Sequence, residues 1–351
     1  MAARSPTSSS DRPSGRTGEP ITRRHAPTSA GAPGVVRVTA VDAEGHVREF
    51  SGETAVEHLP GILHEADTTV WVDLASPSPA QVHAVGTILG LHPLIVEDVL
   101  EGNQRAKIET TDGVIHLVMF ALTHARRFVA TEIDLVLGLG YLLTVHASDW
   151  VPHTTHHVQS GPGPIMAHGP DHLLWALTDD IVDGYFPYAD ALGDDIDAVQ
   201  DAVMANPVPA VLERLFELKR ELIEVRRAAS PTREVFNQLT NRENPLIDPE
   251  EVIYFRDVYD HLIRLTDEMD NYRELASSTL DIYLTQINNN LSTIMKRLTG
   301  VTVILAGIGA IAGIFGMSEA TVEAGNFWLV AGLIVGGGAA AVLVLRRIDW
   351  I

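Results

Sequence analysis

Residues 298–318 read LTGVTVILAGIGAIAGIFGMS, and residues 324–345 read AGNFWLVAGLIVGGGAAAVLVL. Neither run contains a charged side chain. Each has about the 20 residues that an α-helix needs to cross a hydrocarbon core roughly 30 Å thick. Only Glu319, Ala320, Thr321, Val322 and Glu323 separate them, so the pair reads as a helical hairpin with a carboxylate at each end of its turn. Lys296 and Arg297 precede the first run, and Arg346 and Arg347 follow the second. Basic residues stay preferentially in the cytoplasm. A multi-pass protein of the cytoplasmic membrane is therefore expected, with both termini inside and the acidic turn outside.

The rest of the chain bounds what hangs on that hairpin. Its 351 residues carry 46 Asp+Glu against 25 Lys+Arg, a formal net charge of −21. So acidic a body repels nucleic acid and concentrates cations, although excess carboxylate also serves plain solubility. There is no cysteine, which excludes disulfides, thiolate zinc sites and cysteine nucleophiles. Residues 1–34 lack the apolar core of a signal peptide and are rich in Ser, Pro, Gly, Thr and Arg. They read as a disordered tail, solvated rather than lipid-bound despite Arg4, Arg12, Arg16, Arg23 and Arg24.

Residues 35–170 read as a cytosolic α/β domain. Short apolar or β-branched runs at 35–42, 69–74 and 114–122 predict strands, and 132–137 with 141–145 predict a hairpin around Gly138-Leu139-Gly140. Residues 78–89 and 93–100 predict helices. His153, His156 and His157 stand close enough to suggest a transition metal, but without regular structure to aim them a polar loop is the simpler reading.

Residues 171–297 read as a helical stalk region. A first helix is expected over 171–205, with Asp183, Asp190, Asp194, Asp197 and Asp201 on one face. That stripe is either a solvated side or a reservoir for cations. Pro209 opens a second helix, from 210 to about 227. A third is announced by Asp248 as cap, Pro249 at the first position and Glu251 completing a capping box. No helix breaker follows before the membrane, so one helix of about 100 Å is expected from 249 to 315. A rod with a single apolar seam needs partners, which implies symmetric self-association.

Two spans cannot enclose a water-filled path within one copy, but a ring of copies can. Ala306, Gly307, Gly309, Ala310, Ala312 and Gly313 allow close helix packing in the first span. The domains are then 298–318 as the pore-lining span, 319–323 as the extracytoplasmic loop, 324–345 as the second span and 346–351 as a basic cytosolic end. No phosphate loop, His-Glu-x-x-His or nucleophile elbow is found, so an enzyme is not expected.

The chain resembles the CorA family of divalent metal ion transporters from about residue 71 to its end. The resemblance is carried by Leu91-His92-Pro93-Leu94-Ile95-Val96-Glu97-Asp98 with Gln104-Arg105-Ala106-Lys107-Ile108-Glu109, then Val182-Asp183-Gly184-Tyr185-Phe186, Leu218-Lys219-Arg220 and Arg233-Glu234-Val235. Its most specific block is Tyr254-Phe255-Arg256-Asp257-Val258-Tyr259-Asp260-His261. Met295-Lys296, Leu298-Thr299, Ile311 to Met317 and the Arg346-Arg347-Ile348-Asp349-Trp350-Ile351 end complete it.

The resemblance implies a funnel-shaped homopentamer that passes Mg²⁺, or Co²⁺, Ni²⁺ or Zn²⁺, without ATP. In it Asp98 and Asp257 meet across a subunit interface on a regulatory Mg²⁺, and Glu97 and Asp179 belong to a second such site. Met295 and Leu298 become rings of a hydrophobic gate. The signature at the outer mouth is Gly-Met-Asn in the family and Gly316-Met317-Ser318 here. Gly307 and Gly309 replace a usual Pro and Thr, Ser292 replaces an Asn, and the outer loop is about one turn short. Glu319 and Glu323 still supply outward negative charge. These departures leave open a second reading, a CorA-like membrane cation sensor that does not conduct or has altered selectivity.

Overall fold

The structure is a computed structural model that describes residues 22–24, 34–102, 105–124, 128–316 and 324–347. In chain order its first half contains β1 (Thr22–Arg24), β2 (Val35–Val41), β3 (Val47–Ser51), α1 (Glu53–Ile62) and β4 (Thr69–Ala75). There follow α2 (Pro79–Ile88), α3 (Pro93–Glu101), β5 (Lys107–Thr111), β6 (Val114–His124), β7 (Phe128–Gly138) and β8 (Tyr141–His146). After a 3₁₀ turn at Pro152–Thr154 the chain is helical: α4 (Gly163–Met166), α5 (Pro170–Asp183), α6 (Phe186–Ala205), α7 (Pro209–Asn241), α8 (Val252–Gly316) and α9 (Ala324–Arg347).

The strands form one mixed sheet in the order β3-β2-β4-β8-β7-β6-β5, with β1 parallel to β7 beyond the β8 ladder. Three residues of the stretch read as a tail are thus a strand. Period-two alternation divides β4 between two cores. Val70, Val72 and Leu74 join Val36, Val38, Leu143, Val145 and the apolar faces of α1, α2 and α3. Trp71 and Asp73 point the other way, toward the side on which α5 packs against β4, β6, β7 and β8. The β7–β8 connection is the expected hairpin, but Gly138 pairs with Tyr141, so the turn is Leu139-Gly140 alone. Gly140, the second turn residue, takes a left-handed φ of 79°, as the second position of a type II turn requires.

Several helical expectations are corrected. The helix expected over 171–205 breaks at Gly184-Tyr185, which puts Asp183 on α5 and the other four acids of the stripe on α6. The helix expected to end near 227 runs on through Pro231 to Asn241. The capping box at 248–251 does not form. Asp248 Oδ1 accepts from the Glu250 N–H, the Asp248 N–H donates to Asp171 Oδ2, and the Glu251 carboxylate turns to His172 Nδ1 at 2.7 Å. Residues 249–251 are therefore a turn, and α8 starts at Val252. From there it is unbroken for 65 residues, about 98 Å at 1.5 Å per residue.

The chain divides into two compact units, 1–197 with 216–276, and 198–215 with 277–351. The border expected at residue 170 falls inside the first unit, because α5 packs directly on the sheet. In the second unit the apolar side chains of α8 stand exposed: Leu291, Ile294, Met295, Leu298, Val303, Leu305 and Ile314 are each more than half accessible. Among the described residues α8 is the one helix whose apolar stretch is long enough to span a membrane, and 6 % of that stretch is buried. A soluble protein's core helix would be covered. On α9, Trp328, Val335, Leu343 and Val344 are equally bare.

Candidate cation-binding site

Two pairs of residues, each one helical turn apart, build the site. Asp179 and Asp183 share a face of α5, and Asp257 and His261 share a face of α8. The two faces meet within the first unit. His261 Nδ1 lies 3.4 Å from Asp183 Oδ1 and 3.9 Å from Asp179 Oδ1, and its Nε2 lies 3.8 Å from Asp257 Oδ2. Asp179, Asp257 and His261 offer three ligand atoms within 4.8 Å of one another. Phe186 closes one flank, with the His261 ring edge-on at 5.9 Å and the Arg264 guanidinium 4.4 Å above its own face.

Asp179 is the buried member, 7 % exposed. Burial pushes its carboxyl up to about 6, and the Asp183 charge adds to the shift while His157 and His261 oppose it. Its Oδ1 and the Nδ1 of His261 are buried without a hydrogen-bond partner. A buried carboxylate oxygen left unpaired is costly, and a bound cation would supply the missing partner. Carboxylate oxygens suit a hard ion such as Mg²⁺, so these residues fit the regulatory cation that the resemblance implies.

The other expected regulatory residues lie elsewhere on the chain. Asp98, on α3, pairs with Lys107 Nζ at 2.5 Å, and Lys107 also reaches Glu109 Oε1 at 3.2 Å. Asp98, Glu109 and the buried His116 form a second group of potential ligands. Glu97 is exposed on the rim of a cavity of about 350 Å³ floored by Leu91, Val96 and Leu100. Asp98 and Asp257 thus belong to separate groups of potential ligands.

The residues expected to line a pore fall on α8 as far as it is described. Ser292, Met295, Leu298 and Gly309 are exposed along it, and Gly316 is its last residue. Met317, Ser318, Glu319 and Glu323 lie outside the described residues.

Sequence reasoning missed His261, Asp183 and the histidines ahead of α5 as parts of this geometry. The four-residue spacings Asp179/Asp183 and Asp257/His261 were visible signals. The histidine stretch is not merely a polar loop. His153 stacks on Trp71 at 4.3 Å and lies 3.6 Å from Asp73 Oδ2. The His157 backbone N–H and Nδ1 both reach the Asp180 carboxylate, at 3.1 and 2.9 Å.

Residues 66–347 match the family described as CorA-like Mg2+ transporter protein. The cobalt/magnesium transport protein CorA of Thermotoga maritima is 32 % identical over 277 residues, covering 77 % of this chain and 78 % of that protein. The putative metal ion transporter YfjQ of Bacillus subtilis is 27 % identical over 71 % of this chain and 78 % of its own length. Among solved structures, the complete CorA magnesium transporter of Methanocaldococcus jannaschii superposes with a TM-score of 0.74 at 24 % identity, covering 90 % of this chain and 98 % of that one. Full-length CmaX superposes with a TM-score of 0.70 at 17 % identity, over 92 % and 100 %. At such identities these two likenesses speak for the fold alone.

Proposed function

This chain belongs to the CorA-like Mg²⁺ transporter family, and from that membership we propose a channel-like transporter that moves divalent cations across the cytoplasmic membrane as a homopentamer. Mg²⁺ is the first cargo, with Co²⁺, Ni²⁺ or Zn²⁺ behind it, and the protein is a transporter rather than an enzyme. Intracellular divalent cation bound between subunits controls the gate.

One observation carries this reading. A single unbroken helix, α8, bears Asp257 beside Asp179 and His261 near one end, and toward the other an apolar run in which Leu298, Val301, Val303, Leu305 and Ile314 are exposed. A rod of this kind transmits a change at the acids to the span without an intervening joint. Bound Mg²⁺ supplies the positive charge that lets carboxylates approach across an interface. Glu97, Asp98, Asp179 and Asp257 hold it, and like charges repel when it leaves. Met295 and Leu298 from each copy ring the path and exclude water while closed. Ser292 and Gly309 line the path further along, the Gly316-Met317-Ser318 mouth receives the hydrated ion, and Glu319 and Glu323 attract it from outside. The tail and both ends of the hairpin face the cytoplasm, following the Lys296-Arg297 and Arg346-Arg347 pairs.

Vesicles containing the full chain and loaded with a Mg²⁺-sensitive dye test the reading. Protein-dependent influx is expected; none, from a verified pentamer, overturns it. The second reading, a cation sensor with lost or altered conduction, is favoured by Ser318, whose hydroxyl replaces the longer amide of Gly-Met-Asn while Asp98 and Asp257 are retained. It requires that Mg²⁺ still protect the cytosolic unit from protease and that Ser318→Asn create or restore flux.

A further inference from the structure

His157 is seated as a metal-binding imidazole is seated. Its backbone N–H and its Nδ1 both engage the Asp180 carboxylate, at 3.1 and 2.9 Å. Since an ionised carboxylate only accepts, Nδ1 carries the proton and the lone pair is left on Nε2. A carboxylate that fixes one ring nitrogen and frees the other is the usual outer partner of a ligating histidine. The ring is also held edge-on against Trp175 at 4.9 Å. The free Nε2 faces Asp179 Oδ2 at 3.7 Å.

On its other oxygen, Asp179 faces His261 Nδ1 at 3.9 Å. The buried Asp179 carboxylate is thus flanked by imidazole nitrogens on both sides. Both separations are too long for hydrogen bonds. They leave room for an ion bonded at about 2.0–2.1 Å to nitrogen and oxygen. Asp179 Oδ1 and His261 Nδ1, both buried, have no hydrogen-bond partner.

We propose that His157, oriented by Asp180, is a ligand of the Asp179 cation site and that, with His261, it makes this site prefer a borderline cation over Mg²⁺. Imidazole suits Co²⁺, Ni²⁺ and Zn²⁺, whereas Mg²⁺ prefers oxygen and retained water. The proposal rests on the reading of Asp179 as part of a cation site, and it adds the ligand that sets which cation the site senses.

Co²⁺ alone is the probe, added to purified full-length protein. Because the chain has no cysteine, a His157→Cys variant carries its only thiol. With Co²⁺ bound, that variant is expected to show a near-ultraviolet thiolate-to-cobalt charge-transfer band that the wild type lacks. A His157→Gln variant is expected to bind Co²⁺ at least about tenfold more weakly, and Asp180→Asn about tenfold. Protection from protease by Co²⁺ relative to Mg²⁺ should shift toward Mg²⁺ in His157→Gln. No charge-transfer band, unchanged Co²⁺ affinity in His157→Gln, or no Co²⁺ bound by the wild type each overturns the proposal. If Co²⁺ binds through residue 157 while Mg²⁺ fails to protect the wild type, this assignment stands and the Mg²⁺-gating reading falls.

Discussion

Lys107 Nζ lies 2.5 Å from Asp98 Oδ2, both groups largely withdrawn from solvent at 18 % and 25 % side-chain exposure. The carboxylate proposed to share a regulatory cation with a neighbouring copy's Asp257 therefore already holds a cation of its own chain. Burial alone would lower the Lys107 ammonium, but the Asp98 and Glu109 carboxylates outweigh it and hold it above its ordinary value. Lys107 and a bound metal compete for the same oxygens.

Replacing Lys107 with Met should remove that competition. The side chain keeps its length and loses its charge. An ion pair of this exposure is worth about 1 kcal/mol, or about fivefold in an equilibrium. The Mg²⁺ concentration giving half-maximal protection from protease should accordingly fall about fivefold. An unchanged or higher midpoint would show that Asp98 does not take part in Mg²⁺ binding.

Asp73 sets the acid limit of the fold. Its carboxylate is buried beneath the β4–β8 ladder, accepting from Thr144 Oγ1 at 2.6 Å and lying 2.9 Å from His146 Nε2. Burial pushes the carboxyl up, but His146, His153 and Thr144 overcome it and hold the group well below its usual range. The unfolded chain thus takes up the proton first as pH falls. The stabilisation is complete above about pH 4, the ordinary range of the group, and is lost progressively below it. Asp73→Asn should cost about 3 kcal/mol at neutral pH and flatten the acid limb of a denaturation series.

Asp179 carries the opposite sign. Its carboxyl is raised from 3.8 to about 6, first by burial and then by the charge of Asp183. In that window the folded chain keeps a proton that the unfolded chain has released, so stability falls as pH rises and levels off above about 6. Thermal melts of metal-free protein from pH 4 to 7 should show this decline, and Asp179→Asn should abolish it. Because the same oxygens bind proton or cation, Mg²⁺ should recover the lost stability most at the neutral end.

What the sequence showed plainly was whatever obeys a single period. The central strands β2, β4, β6, β7 and β8 are strongly apolar and were all anticipated, as was the long run of α8. Three strands were left unread: β1, inside the stretch read as a tail, and β3 and β5, the two ends of the main sheet order, where among the described residues one side meets no partner and residues such as Arg48, Glu49, Glu109 and Thr110 are tolerated. The unread helix α1 contains Pro60, which argues locally against it. At the cation site, Asp179 and Asp257 came from family resemblance. The neighbours His157, Asp180 and His261 depend on a loop meeting α5 and on α5 meeting α8, which no periodicity encodes. The missing capping box has the same cause: Asp171 and His172, distant in sequence, captured the Asp248 N–H and the Glu251 carboxylate.

The packing of α6 on α8 offers a test independent of any ion. Gly193 is buried on α6, and a Cβ built there would stand 2.5 Å from Tyr272 Oη and 2.7 Å from Cζ. The Tyr272 hydroxyl is itself held, donating to Glu268 Oε1 at 3.0 Å. At an exposed helical position Gly→Ala would stabilise by about 1 kcal/mol through backbone propensity. Here the added methyl must displace a stiff ring, and overpacking of that kind costs about 1–3 kcal/mol. Gly193→Ala should therefore be neutral to destabilising, reversing the ordinary sign. Pairing it with Tyr272→Leu, which clears the ring, should restore the propensity gain, so that the double variant is more stable than the sum of the single changes predicts. Simple additivity in thermal denaturation of the four proteins would mean that α6 and α8 do not approach at this point.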